Sequence, residues 1–168
     1  MTGNFNYHAA QQVFFLYDLP DLLRKVKQGC ASHVQRDDYV VTVGIGAHKL
    51  NKRKVKWDKA RKACMAEGGQ LAILNSVKEE KILVDWMNRE NINSAWLGVH
   101  DQFTEGDWVT LTGESFDTAG YNTWSTRWPN LPDNYGGNQN CGVLIKQGGL
   151  DDENCHINLP YFCKINLC

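Results

Sequence analysis

Six cysteines constrain this 168-residue chain more than any other feature of its sequence. No two of them are spaced as Cys-x-x-Cys, the pairing typical of zinc sites and of thioredoxin-like redox motifs. We therefore interpret them as a disulfide framework, which forms in oxidising compartments and predicts a secreted, extracellular protein. Their positions are Cys30, Cys64, Cys141, Cys155, Cys163 and Cys168.

The beginning of the sequence does not have the pattern of a signal peptide. Residues 1–12 contain no Lys or Arg, and the apolar stretch at residues 13–16 is shorter than a signal-peptide core. For a secreted protein we expect that a leader is missing from the given sequence. Secretion by another route is the alternative.

Composition excludes two broad classes of protein. The formal net charge of −1 argues against a dedicated nucleic-acid-binding protein, which is usually strongly basic. No run approaches the roughly 18 apolar residues of a transmembrane helix, so we expect no transmembrane segment. The length fits one domain with a short appendage.

The appendage is predicted at the N-terminus. We expect residues 1–43 to form an arm that is partly flexible or oligomerising and that ends in a strand over residues 37–43. Residues 44–168 are then the compact domain. The alternation of β-branched and polar residues before the turn at Gly44 supports this boundary.

Within the domain the apolar pattern indicates two helices and several strands. A helical period runs from Lys54 to the glycines at residues 68–69, and a second helix opens at Ser76 with a capping box to Glu79. Short apolar stretches predict further strands, and a long loop rich in Gly, Pro and Asn follows Gly113. The order of these elements predicts an α+β fold.

A dense group of carboxylates lies near the C-terminus. Asp151, Asp152 and Glu153 fall between Cys141 and Cys155. A short, oxygen-rich segment clamped by cysteines suits a hard cation such as Ca²⁺, which takes roughly six to eight oxygen ligands.

Residues 46–165 resemble the C-type lectin domain. The match includes Trp96-Leu97-Gly98-Val99 as the family's core strand, and the details at residues 38–40, 44–46 and 49–50 are most similar to insect haemolymph lectins, including lipopolysaccharide-binding forms. The other positions that carry the resemblance are Trp57, Cys64, Gly68, Gly69, Leu71, Ala72, Trp108, Gly113, Trp128, Pro132, Cys141, Cys155 and Cys163.

The resemblance implies a fold of two helices, short antiparallel sheets, a long structured loop and disulfides. It implies the bridges Cys64–Cys163 and Cys141–Cys155, and a cis peptide bond before Pro132. Two cysteines at the ends of the chain are left over. They could pair with each other or link two chains into a homo-oligomer, and they are Cys30 and Cys168.

The resemblance also implies a calcium site that holds a sugar. Leu131 stands where the family has a ligand, so affinity for the ion should be reduced, and the alternative is an acidic, solvated loop kept only for folding. The residues expected at the principal site are Asp133, Gln139, Asp151 and Asp152. Those expected at an auxiliary site are Asp101, Glu105, Asn134 and Asn140.

The sugar is expected to bind to the same side chains that hold the principal ion. Tyr135, which precedes two glycines, is expected to be exposed and able to pack on the apolar face of a sugar ring. Trp128 could pack on a sugar ring in the same way, but we expect it in the core, like Trp96 and Trp108.

A basic stretch offers a second way to hold a ligand. Lys52, Arg53, Lys54 and Lys56 could bind phosphate or sulfate groups, such as those of lipopolysaccharide, without calcium. The ordinary explanation is a solvated face of the domain.

Two functions follow from these observations. The first is a secreted, calcium-assisted protein of innate immunity that recognises glycans or lipopolysaccharide. The second is a C-type-lectin-like domain with a degraded calcium site that binds a protein or an anionic lipid without sugar. No nucleophile or metalloprotease motif is present, so we do not expect an enzyme.

Overall fold

The computed structural model describes residues 37–167. Over that range the chain forms two α-helices and eight strands, joined in places by single 3₁₀ turns. Neither helix is long and apolar enough to cross a membrane. In chain order the elements are β1 (Val40–Thr42), β2 (Gly46–Val55), α1 (Trp57–Ala66), β3 (Gln70–Leu71), α2 (Val77–Arg89), β4 (Ser94–His100), β5 (Val109–Thr110), β6 (Cys141–Ile145), β7 (Leu150–Glu153) and β8 (Leu159–Ile165).

Helix α1 forms because its apolar side chains repeat at helical spacing. Trp57, Ala60 and Cys64 share one face and are buried. The helix ends where Gly68 takes a φ of +80°, a conformation that glycine adopts without strain. It begins at Trp57 rather than at the predicted Lys54, because the preceding residues belong to strand β2.

Helix α2 begins as the sequence predicts, with one difference in its cap. The hydroxyl of Ser76 accepts a hydrogen bond from the backbone N–H of Glu79 at 3.1 Å, as in a capping box. The carboxylate of Glu79 does not return to Ser76. It accepts a hydrogen bond from the backbone N–H of Asn75 at 2.8 Å, and the side chain is buried in the interior of the domain.

The strands join into one connected sheet with the order β1-β2-β8-β4-β6-β7, to which β3 and β5 add at β8 and β4. The resemblance implied several short antiparallel sheets. The pairing is antiparallel except between β4 and β8, where Trp96 lies opposite Tyr161 in parallel register. Strand β2 is ten residues long and pairs with β8, with Ala47 opposite Ile165.

Both disulfides implied by the resemblance are confirmed. The Cys64–Cys163 bridge ties α1 to β8, and the Cys141–Cys155 bridge ties the start of β6 to the turn after β7. The second bridge therefore fixes the end of β7, the strand that carries Asp151, Asp152 and Glu153. Cys30 and Cys168 lie outside the described residues, as does most of the predicted N-terminal arm over residues 1–43.

Candidate functional site

The loop that precedes β6 supplies one wall of the candidate site. The peptide bond between Leu131 and Pro132 is cis, as predicted, and the flanking residues Asn130 and Asn134 adopt left-handed φ values of 65° and 44°. Asn tolerates this conformation better than most residues. The loop thus forms one side of a cavity of about 240 Å³. The residues that line this cavity are Trp128, Leu131, Asp133, Tyr135, Gln139 and Asp151.

Asp152 anchors this loop to strand β7. Its side chain is 2% exposed, and its two oxygens accept hydrogen bonds from the backbone N–H groups of Asp133 at 3.0 Å and Asn134 at 2.6 Å. Such bonds to an ionised carboxylate are stronger than those between neutral groups. Asp152 therefore contributes to the site by positioning Asp133.

The side chain of Gln139 closes the other end of the loop. Its Oε1 accepts from the backbone N–H of Tyr135 at 2.6 Å, and its Nε2 donates to Glu153 at 3.4 Å. The backbone N–H of Tyr135 also donates to Asp133 Oδ1 at 3.1 Å. Three predicted ligand residues are thus held in one hydrogen-bonded network between the loop and β7. They are Asp133, Gln139 and Asp152.

The acidic residues of this network repel one another. Burial and the neighbouring charge of Asp152 raise the pKa of Asp151 to about 6, and Asp133 and Glu153 add to the effect. Burial also raises the pKa of Asp152, although its backbone hydrogen bonds oppose that shift. Crowded carboxylates of this kind favour a bound cation, which would relieve the repulsion.

The arrangement fits calcium only in part. Asp133, Asp151 and Asp152 supply charged oxygens near the cavity, but Leu131 supplies none, and Gln139 Oε1 is bonded to an amide. Among residues 37–167, no three His, Cys, Asp or Glu side chains are grouped closely enough to form a metal cage. The donor chemistry suits a hard cation, whereas the side-chain positions lack a complete set of ligands.

Most of the predicted auxiliary site is brought together. Asp101, which is 1% exposed, accepts from Asn140 Nδ2 at 2.9 Å and from the backbone N–H of Gly106 at 2.8 Å. The same Asn140 amide donates to Glu105 at 3.3 Å. Asn134 instead bonds to Asp152 and accepts from the backbone N–H of Gln139, so it belongs to the principal loop.

The aromatic residues differ from the expectation at one position. Tyr135 is 80% exposed, as expected, and Trp96 and Trp108 are buried. The prediction that Trp128 lies in the core is wrong, because it is 48% exposed and borders the candidate cavity. Its position in a loop rich in Pro and Asn was a signal for exposure, since such segments run over the surface.

Within residues 37–167, one of the four residues of the predicted basic patch forms an ion pair. Lys52 forms an ion pair with Glu90. Arg53, Lys54 and Lys56 are exposed and form no ion pair with any residue from 37 to 167. These three side chains are therefore the members of the patch that are available to an anionic ligand.

Comparison with known protein families decides the classification. The model of the lectin C-type domain matches residues 53–165. The chain belongs to the C-type lectin family. Its lectin relatives bind carbohydrate and are not enzymes, in agreement with the sequence prediction that this chain is not an enzyme. C-type lectins commonly use Ca²⁺ for this purpose.

A similar curated protein supports the classification of this C-type lectin. Hemolymph lipopolysaccharide-binding protein of Periplaneta americana is 37% identical over 138 residues, which cover 77% of this chain and 52% of that protein. The chain spans about half the length of the curated relatives it matches.

Solved structures share the fold of this C-type lectin. The mouse scavenger receptor C-type lectin carbohydrate-recognition domain superposes with a TM-score of 0.67 at 21% identity, over 78% of this chain and 97% of that one. A calcium-independent type II antifreeze protein superposes with a TM-score of 0.62 at 22% identity, over 79% and 95%.

Proposed function

We propose that this domain belongs to a secreted, extracellular protein of innate immunity that recognises glycans or lipopolysaccharide on cell surfaces. The observation that carries the proposal is a cavity that combines Asp133, Gln139 and Asp151 with two exposed aromatic rings. Polar oxygens beside aromatic faces match a sugar ring, which has hydroxyls at its edge and an apolar face. The similarity to a hemolymph lipopolysaccharide-binding protein supports the ligand class.

In this proposal the sugar packs against Tyr135 and Trp128, and its hydroxyls bond to Asp133, Gln139 and Asp151. Asp152 keeps Asp133 in place through the loop backbone. Calcium, when bound, supplies a coordination point for adjacent hydroxyls. The residues that would hold it are Asp133, Asp151 and Asp152, with Gln139 as a neutral donor, and the loss of a ligand at Leu131 should make its affinity low.

A weaker second ion is proposed at Asp101 and Glu105, with Asn140 as a neutral donor. The two carboxylates already converge on the Asn140 amide. A cation would replace that amide as their common partner. Asn134, the fourth predicted ligand, would have to leave its bonds to the principal loop in order to join them.

Calorimetric titration of the oxidised protein with calcium tests this function. We expect saturable heat from the principal site that is lost in Asp152→Ala and in the nearly isosteric Asp151→Asn, and retained in Asp85→Ala, which removes an exposed carboxylate on α2. The heat of the weaker ion at Asp101 and Glu105 should remain in all three variants. A glycan array with calcium and with EDTA then identifies the sugar. The absence of heat in the native protein, together with an array that shows no calcium-dependent signal, would reject the calcium-assisted mechanism.

A second function is favoured by the incomplete ligand set. A degraded calcium site is expected to lack a ligand and to have its other oxygens bonded to protein groups. Leu131 has no side-chain oxygen, and the side-chain oxygens of Asp152 and Gln139 accept hydrogen bonds from backbone N–H groups. Such a domain would bind a protein or an anionic lipid without sugar, through Arg53, Lys54 and Lys56. Binding to lipopolysaccharide that is unchanged by EDTA and abolished by salt would favour this function over the first.

We also propose that useful binding requires several domains on one assembly. A single sugar bound to an open site has an affinity near the millimolar range, about −4 kcal/mol. Linked sites multiply that affinity without new contacts. An interchain bond through Cys30 or Cys168 would supply the link, and light scattering with and without reductant tests it.

A further inference from the structure

The two disulfide bridges found within residues 37–167 differ in their access to solvent. Cys64 and Cys163 are both 0% exposed, so their bridge lies wholly inside the domain. Cys141 is also 0% exposed, but its partner Cys155 is partly exposed and lines a cavity of about 320 Å³. Structural disulfides resist reduction, whereas exposed ones are the labile ones. Of these two bridges, Cys141–Cys155 is therefore the one that is open to a dissolved thiol.

The sulfur of Cys141 is placed to act as a leaving group. It accepts a hydrogen bond from the side-chain amide of Gln102 at 3.4 Å. Such a donor stabilises the negative charge that forms on a departing sulfur, and a better leaving group speeds thiol–disulfide exchange. Asn51 makes a similar contact with Cys163, but both sulfurs of that bridge are buried, so a thiolate does not reach them in the folded domain. Access to solvent thus distinguishes the two bridges.

The accessible bridge lies beside the candidate calcium and sugar site. It joins the start of β6 to the turn that follows β7. Gln139 lies two residues before Cys141, and Asp152 lies three residues before Cys155. The side chains of Gln139 and Asp152 accept the hydrogen bonds that hold the loop at residues 131–140. The bridge therefore restrains both chain segments that keep this loop in place.

Loss of this bridge should leave the rest of the domain folded. Its two cysteines are separated by 14 positions in the sequence, whereas those of the Cys64–Cys163 bridge are separated by 99. A bridge that closes a shorter loop removes less entropy from the unfolded chain, so its loss costs less stability. The longer bridge, which ties α1 to β8, is the one that remains.

We propose that the Cys141–Cys155 bridge is a redox switch that controls how firmly the loop at residues 131–140 is held. The reductant is a dithiol. One of its thiolates attacks Sγ of Cys155, the disulfide bond breaks, and Cys141 leaves as a thiolate. The second thiolate of the reductant then displaces Cys155. The reductant becomes a disulfide, and the two protons from its thiols pass through water to the two cysteines.

The reduced domain keeps its fold but holds the loop less firmly. Because Asp133 and Gln139 lie on this loop, the binding of calcium and glycan at the proposed site should fall. This consequence rests on the proposed function. The selective reduction of one bridge and the release of the loop do not rest on it.

Partial reduction of the whole oxidised chain tests which bridge opens. Dithiothreitol is added at graded concentrations without denaturant, and alkylation followed by mass spectrometry of peptides detects each free cysteine separately. We expect Cys141 and Cys155 to be labelled about tenfold faster than Cys64 and Cys163, because only the first bridge is accessible. The proposal is overturned if the two bridges open at the same rate or if the buried one opens first.

Amide hydrogen exchange tests the release of the loop without calcium or sugar. In the reduced chain and in Cys141→Ser/Cys155→Ser, the backbone amides of Asp133 and Asn134 should exchange about tenfold faster than in the oxidised chain. The amide of Ala72, which bonds to β8 at 2.8 Å, is the internal control and should keep its protection. Unchanged exchange at Asp133 and Asn134 would overturn the switch. Equal acceleration at Ala72 would also do so, because the bridge would then hold the whole domain.

Calcium calorimetry on the same samples separates the switch from the proposed function. If the oxidised chain binds calcium, the reduced chain and Cys141→Ser/Cys155→Ser should bind it about tenfold more weakly, because its ligands are less well positioned. Equal affinities would overturn the switch. If the oxidised chain gives no heat, the calcium-assisted function fails, and labelling and exchange still decide the switch. Cys30→Ser/Cys168→Ser is the matched control, because it removes two cysteines and keeps both bridges.

Discussion

Nζ of Lys164 lies 2.6 Å from Oε1 of Glu79, and both side chains are about 1% exposed. His48 Nε2 lies 2.7 Å from the same oxygen, so the three side chains join β2, α2 and β8 inside the domain. Burial opposes the ionisation of Glu79, but hydrogen bonds with His48 and Lys164 outweigh it and hold its pKa below the ordinary value. Residues far apart in the sequence are thereby fixed to one another.

We expect Glu79→Gln to lower the free energy of unfolding by about 3–5 kcal/mol, because it leaves the Lys164 ammonium buried and without its counter-ion. Urea denaturation measures the change. Because the folded-state pKa of Glu79 is depressed, the pair's contribution is present above the ordinary pKa of 4.5 and is lost as the pH falls below it. Asp58→Asn, in an exposed ion pair, should cost no more than about 1 kcal/mol, and equal losses in the two variants would contradict the argument.

Trp128→Ala should weaken glycan binding about tenfold while changing stability by less than about 1 kcal/mol, because the ring is half-exposed and borders the candidate cavity. Binding to glycans selected on the array, measured by calorimetry beside thermal unfolding, separates the two effects. Trp128→Phe retains an aromatic face and should recover much of the affinity. A loss of stability as large as that of Trp96→Ala, which removes a fully buried ring, would show that Trp128 is a core residue after all.

Calcium affinity should fall as the pH drops through about 6, the raised pKa of Asp151, because protons compete with the ion for that carboxylate. Calcium titrations at a series of pH values measure this dependence. Since the folded-state pKa lies above the ordinary 3.8, the calcium-free domain binds more protons than the unfolded chain between about pH 4 and 6. Its stability should therefore decrease as the pH rises through that window, on the order of 1 kcal/mol after solvent screening. Affinity that is constant from pH 5 to 7 would remove Asp151 from the ligand set.

The joint replacement of Arg53, Lys54 and Lys56 by Ala should weaken binding to phosphatidylglycerol vesicles by about 1 kcal/mol per residue, if the basic patch holds anionic ligands. The matched control replaces one Arg and two Lys residues on the exposed face of α2, which are Lys78, Lys81 and Arg89. Flotation assays at low and high salt measure both variants. Equal effects would mean that net charge, rather than this patch, attracts the vesicles.

Local rules in the sequence account for the helices and for the acidic loop. The spacing of Trp57, Ala60 and Cys64 defines a helix face without reference to the rest of the fold, and Ser76 provides a cap for its own helix. The resemblance to C-type lectins contributed the disulfide pairing and the cis bond before Pro132, which no local pattern reveals.

Features that depend on distant partners could not be predicted in this way. Strand β2 carries a run of Lys and Arg that has no strand-like alternation, and it forms because β8 provides a partner across more than a hundred residues of sequence. The exposure of Trp128 is likewise a property of the assembled surface. A cavity of about 490 Å³ beside His100 is built from residues 57–61 and 100–113, which nothing in the sequence connects.

The order of the strands has a consequence for which surfaces of the domain can be occupied at the same time. Ala47 lies opposite Ile165 of β8, and β1 pairs with the other side of β2, so both ends of the range 37–167 lie on this side of the sheet. The edge here is formed by β1, whereas the acidic strand β7 forms the opposite edge. Four strands separate the two edges, so a partner that binds along β1 would leave the acidic strand free to face a target surface.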